Sequence, residues 1–188
     1  MTPDRDVERR VILIRPAAEA DLPDIAELVD GFVAGHPAES HPRPMARLQQ
    51  AYFGAQPVAR LLLACKGPRV LGMGQWTRIY DMFWSAFGGE VGWLYVRAEA
   101  RGQGIAAAIV AEICRQVRLD GGELLHGGSE AESVSKLYER VAIGWPGRTC
   151  YVSGEAFQHF ADLAGLRVRD IVRRLPNPAL NREPPRTR

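Results

Sequence analysis

The stretch EVGWLYVRAEARGQGIAAAIV, from Glu90 to Val110, constrains this chain more than any other. An apolar run, WLYV, reads as a strand, and a short charged stretch leads to two glycines around a single Gln before an alanine-rich helical pattern begins. The first amides of a helix have no intrahelical acceptors, and the aligned peptide dipoles leave that end partly positive. A glycine turn running from a strand into a helix is therefore suited to holding an anion. Which anion, and for what chemistry, depends on the surroundings of the turn.

Those surroundings alternate between strand and helix periods. Val11 to Ile14 predicts a strand, and Asp21 an N-cap ahead of Leu22, Ile25, Leu28, Val29 and Phe32, which share one helical face. His36 to Pro44 is too rich in proline to continue that helix, whereas Met45 to Phe53 fits a second, short one. Leu61 to Cys65 and Val70 to Trp76, separated by KGPR, predict an antiparallel hairpin, followed by a loop from Tyr80 to Gly89. Glu90 to Val96 is then a strand. Gly104 to Asp120 predicts a helix with Ile105, Ile109, Ile113 and Val117 on one stripe, ended by Gly121 and Gly122. A short strand from Leu124 to His126, a helix from about Glu130 to Val141 and a strand near Arg148 to Val152 come next. Amphipathic stretches from Gly154 to Ala164 and from Arg167 to Leu175 close the pattern, with a sheet edge or a homodimer contact as their expected use. The order predicts an α/β fold, a mixed sheet with helices on its faces.

A chain of 188 residues, 46% hydrophobic and 24% charged, suits one domain over residues 1–175. Residues 176–188, PNPALNREPPRTR, read as a loose polar tail. The balance of 24 basic and 22 acidic residues, net +2, supports neither nucleic acid nor an anionic membrane as a partner. The amino terminus is charged and no apolar run approaches the ~20 residues of a membrane helix, so a soluble, cytoplasmic protein is expected. Cys65, Cys114 and Cys150 are odd in number, widely spaced and set in apolar surroundings, as reduced core residues would be. Without a CxxC pair, zinc is not expected.

Two phosphate-binding motifs fail on context. Gly102, Gly104 and Ala107 formally satisfy G-x-G-x-x-A, but five residues separate the strand from the first glycine, and His126 rather than an acidic residue ends the next strand. A P-loop lacks its Lys-Ser/Thr pair. What the turn resembles is motif A of the GNAT superfamily of acyl-CoA-dependent N-acyltransferases, R/Q-x-x-G-x-G/A, supplied here as RGQGIA by Arg101, Gly104 and Ala106. The opening ILIRPAAEADLPDIAEL resembles the family's first strand and helix, and EAESVSKLYERVAI its motif B, with Leu137, Tyr138, Glu139 and Arg140 in place. Ala131 departs from the usual Asn, and Ala142-Ile143 from Gly-Phe.

The resemblance implies the GNAT fold, a central mixed sheet splayed at the acyl-CoA site with helices on both faces, and assigns roles. Backbone N–H groups of Arg101, Gly102, Gln103, Gly104, Ile105 and Ala106 would cradle the pyrophosphate of coenzyme A, with glycine at position 104 so that no Cβ obstructs it. Replacing Gly104 is then expected to block the cofactor and spare the fold. Leu94, Tyr95 and Val96 would present unpaired backbone groups to the pantetheine arm and to the developing oxyanion. Tyr138 would protonate the departing thiolate. Glu90 is the preferred base at the start of its strand, with Asp81, Glu130 and Glu132 as alternatives, or a water chain and no dedicated base. Tyr80, Phe83 and Trp84, with Trp76 and Phe87 nearby, are core residues or an aromatic wall for the acceptor amine. His126 is a structural residue or a proton relay. His36, Glu39 and His41, in a proline-rich loop, read as solvated or substrate-facing rather than as a metal site.

The implied function is transfer of an acetyl group from acetyl-CoA to a primary amine, preferably of a small molecule, directly and without metal. The competing class is a non-catalytic CoA-binding module used for sensing or assembly.

Overall fold

A computed structural model describes residues 11–34, 43–128, 140–144 and 149–176. The chain begins with β1 (Ile12–Pro16), α1 (Leu22–Val33), α2 (Met45–Phe53), β2 (Arg60–Lys66), β3 (Arg69–Asp81) and β4 (Ala86–Val96). It continues through α3 (Ile105–Leu119), β5 (Leu124–Gly128), β6 (Ile143–Gly144), β7 (Thr149–Ser153), α4 (Gly154–Asp162) and α5 (Val168–Arg173). The strands form one mixed sheet in the order β1-β2-β3-β4-β5-β7-β6. Strands β1 to β4 are antiparallel neighbours, β5 joins β4 in parallel, and β7 and β6 extend the sheet antiparallel. Parallel neighbours require a crossover, and α3 supplies it.

Each face of the sheet carries its own core. On one face the stripe of α3, with Ile105, Ile109, Ile113 and Val117, packs on Trp76, Val91 and Leu125 and is closed from outside by Phe157 and Phe160 of α4. On the other, Ile25 and Leu28 of α1 cover Leu61, Leu63, Cys65, Val70 and Met73. Cys65 and Cys114 are free and buried.

Three features differ from expectation. The loop proposed for Tyr80 to Gly89 is mostly strand: β3 runs to Asp81, β4 begins at Ala86, and Tyr80 pairs with Phe87. The turn between them is held by Asp81, whose Oδ1 accepts the amides of Phe83 at 2.8 Å and Trp84 at 3.0 Å, while Ser85 takes a positive φ of 51°. The rings of Tyr80 and Phe87 meet across the pair at a tilt, with centroids 5.2 Å apart. Asp21 stands at the N-cap position of α1 without capping it; its carboxylate accepts the Ala18 amide and two bonds from Arg15 instead. The two-residue strand β6 has no period to betray it. Helix α5 packs on α3 within the same chain, with Val168 and Ile171 buried. Of the helix expected from Glu130 to Val141 only Arg140 and Val141 are described, and both are helical. Of the proposed tail only Pro176 is described, and it is buried.

Candidate active site

Strand β4 sets the geometry of the site. Its parallel pairing with β5 begins at Gly88–Leu124 and ends at Glu90–His126, whereas its pairing with β3 continues to Val96. From Val91 onward the edge of β4 that faced β5 has no strand partner among the described residues. A bulge marks the parting: Gln75 pairs with Trp93 and Trp76 with Val91, which leaves Gly92 as the extra residue. The inserted residue shifts the side-chain alternation. Val91 and then Leu94 and Val96 join the α3 core, and Tyr95 joins the α1 core. Trp93 and Tyr95 both meet the ring of Phe32 of α1 edge-on, at 5.0 and 6.0 Å.

Beyond Val96 the chain makes a 3-10 turn, Ala98–Ala100, and then two left-handed glycines, Gly102 at φ 75° and Gly104 at φ 80°, before α3 begins. Only glycine takes such angles without cost, and here two of them carry the chain from the end of β4 into α3, so that strand end and helix start line the same cleft. Arg101 donates from Nε to the Val96 carbonyl at 3.0 Å, and its guanidinium lies 5.8 Å from the centroid of the Tyr95 ring. Arg97 is engaged elsewhere, with Val70 O at 2.8 Å and Glu27 at 2.7 Å, and that carboxylate holds its guanidinium protonated beyond its ordinary range.

Strand edge and turn open into one cleft of about 520 Å³. Leu94, Tyr95 and Val96 form its β4 side, Arg101, Gly102, Gly104, Ile105 and Ala106 its turn, and all eight were singled out in the sequence. Gln103, the ninth, is exposed and does not line the cleft. A Cβ built on Gly102 would meet nothing within 4 Å, so the turn leaves open space where an anion would approach. Gly104 is different. A Cβ there would lie 2.4 Å from Cγ2 of Val172 and 2.8 Å from Cγ1 of Val168, so this glycine admits α5, and its replacement would not spare the fold. The residues present suit an acyl-CoA: an open glycine cradle beside an arginine for the diphosphate, and a strand edge unpaired among the described residues for an amide-bearing arm.

Glu90 is the fifth residue of β4 rather than its first, exposed, and outside the cleft lining. It occupies the last register before the strands part. His126, its partner on β5, lies with Nε2 2.6 Å from Oδ2 of Asp81, whose side chain is 7% exposed. Tyr80, Phe83 and Trp84 lie on the β3–β4 hairpin and do not line the cleft. Trp76 is core. Tyr138, Glu130, Glu132, His36, Glu39 and His41 lie outside the described residues. Gly31 and Phe32 of α1, Arg140, Val172 and Leu175 line the cleft without having been assigned to it from sequence. Their signal was present only as helical stripes, which cannot say what the stripe will meet. Among the described residues no cluster of metal-ligating side chains occurs, and no helix is long and apolar enough to cross a membrane.

Residues 25–142 match the sequence model of the acetyltransferase (GNAT) family, and the chain belongs to that family. No curated protein matches it significantly. Solved structures share the fold at low identity. An aminoglycoside acetyltransferase from an uncultured soil metagenomic sample, in complex with sisomicin, superposes with a TM-score of 0.56 at 18% identity, covering 68% of this chain and 84% of its own. A ribosomal-protein-alanine N-acetyltransferase from Brucella melitensis gives 0.59 at 20%, covering 72% and 94%. A transcriptional regulator from Bacillus halodurans gives 0.62 at 22%, covering 73% and 95%.

Proposed function

We propose that this protein is an N-acetyltransferase that moves an acetyl group from acetyl-CoA to the primary amine of a small molecule, by direct transfer in a ternary complex in the cytoplasm. The observation that carries the reading is the parting of β4 from β5 directly after Glu90 and His126, with the glycine turn at the far end of the same strand. Acetyl-CoA would supply the acyl group, activated as a thioester. The amides at Gly102, Ile105 and Ala106 and the guanidinium of Arg101 would hold its diphosphate, and the free edge of Leu94 to Val96 its pantetheine amides. One amide of that edge would also donate to the carbonyl oxygen as negative charge builds on it.

The acceptor would meet the α1 face. Gln75 and Thr77 alternate on β3, and their partners Trp93 and Glu90 share that face. Glu90 is exposed and Trp93 is 53% exposed, so a carboxylate and an aromatic ring are both available to an alkylammonium group. Glu90 would take the amine's proton, directly or through water. Tyr138 would donate to the leaving thiolate. The metagenomic relative's complex with an aminoglycoside supports a small polyamine acceptor, and the Brucella relative's name supports a protein alanine. The apolar and acidic character of the α1 face favours the first.

A panel of amines assayed by thiol release, beside calorimetric titration with CoA, tests the reading. Tyr138→Phe should keep acetyl-CoA affinity within a few-fold and lower turnover by ~10²-fold. Unchanged turnover would make Tyr138 a packing residue. CoA binding with no amine acetylated would favour a non-catalytic CoA-binding module.

A further inference from the structure

We propose that α5, which lies beyond the residues that define the family, is a wall of the cofactor site, and that Val172 and Leu175 receive the adenosine end of coenzyme A. The inference rests on the acyl-CoA reading and adds to it a part of the chain that the reading does not use.

Three observations carry it. Val172 and Leu175 line the same cleft as Arg101 and Gly102, and both are only partly buried, so apolar surface remains open to a ligand. The approach of α5 to the turn is tight, because the space a Cβ would need at Gly104 is filled by Val168 and Val172. The wall is also anchored. Val168 is 9% and Ile171 1% exposed, His159 of α4 contacts the Arg174 carbonyl through Nε2 at 2.7 Å, and Arg118 of α3 holds Asp162 of α4. Arg140 reaches the same side of the cleft, with Nη2 3.5 Å from the Val172 carbonyl.

The chemistry of this corner selects the ligand. Two partly buried branched aliphatic side chains offer an apolar contact, and two arginines, Arg101 and Arg140, line the same cleft. A purine nucleotide matches both, with an apolar ring face for the aliphatic pair and phosphate groups for the arginines, whereas a pantetheine arm carries no phosphate. The pantetheine has its own surface along Leu94 to Val96, on the β4 side of the cleft. The adenosine is therefore the portion left for α5.

The test is calorimetric titration of wild type, Leu175→Ala and Leu175→Met with CoA and with adenosine 3′,5′-bisphosphate, which carries the nucleotide end alone. Trimming a partly buried leucine should weaken both ligands by about three- to tenfold, with Met restoring most of the affinity. A folded Leu175→Ala protein with wild-type affinity for CoA overturns the wall and leaves the acyl-CoA reading standing, as does weaker CoA binding with bisphosphate affinity unchanged. A wild type that binds neither ligand overturns both. If Leu175→Ala does not fold, nuclear Overhauser contacts in the wild type decide: cross-peaks from the Val172 and Leu175 methyls to the adenine protons of bound CoA are expected, and their absence with CoA bound sinks the proposal.

Discussion

Arg15 and Asp21 are six residues apart, and two hydrogen bonds of 2.7 Å join them side by side. The guanidinium holds the Asp21 carboxyl below its usual range, against the opposing effect of burial. A depressed carboxylate contributes stability that is present above the unfolded pKa, ~3.9, and lost as pH falls through the lower folded value. Asp21→Asn should therefore cost about 1–2 kcal/mol in urea unfolding at pH 7, a modest figure because Arg15 is 35% exposed, with the difference from wild type shrinking below about pH 4. The two glycines of the turn should separate binding from folding. At Gly102 both Asn and Asp tolerate a left-handed backbone better than most residues, so Gly102→Asp should bind CoA at least about tenfold more weakly than Gly102→Asn, through charge alone. Gly104→Ala should instead lower stability by about 2–5 kcal/mol, adding a crowded Cβ against Val168 and Val172 to a left-handed φ.

Strand β4 does two jobs that conflict in a regular strand. Its first half needs Gly89 and Val91 toward α3, and its second half needs Leu94 and Val96 there as well, which period-two alternation forbids across that interval. Gly92 resolves the conflict as the extra residue. Its deletion would bring Val91, Leu94 and Val96 into regular alternation toward α3, so a folded protein by circular dichroism is expected, with CoA binding weakened in calorimetric titration as the bend where the strands part is lost. The hairpin beyond β3 is stabilised more locally. Asp81→Ala removes the acceptor of two turn amides and the contact to His126, and a loss of about 1–3 kcal/mol in thermal or urea unfolding is expected.

At the scale of the whole molecule, the cleft draws on segments from residue 31 to residue 175, so occupying it should brace the α1 end, the splayed strand, α3 and α5 together. Saturation with CoA at about a hundred times its Kd would contribute ~2.7 kcal/mol, raising the unfolding temperature of a chain this size by about 5–10 °C. A rise confined to wild type and missing in Gly102→Asp would tie the effect to the turn. No shift at saturating CoA would count against the cleft as an acyl-CoA site.

The strands, the helices and the family were legible because each depends on near neighbours in the chain. Apolar periods, glycine turns and the RGQGIA motif are local, and they located eight of the residues that line the cleft. The hairpin from Tyr80 to Phe87 was missed because both its faces are partly apolar and exposed, so the alternation that betrays a strand is blurred, and only cross-strand pairing and the Asp81 turn reveal it. Gly104 was read as making room for phosphate, since nothing within a few residues of it announces that Val168 and Val172, more than sixty positions later, occupy that space. The place where β4 and β5 part is likewise a relation between segments about thirty-five residues apart. Local propensity fixes which residues turn, extend or coil, whereas the shape of a cleft is set by contacts that exist only once distant elements have packed.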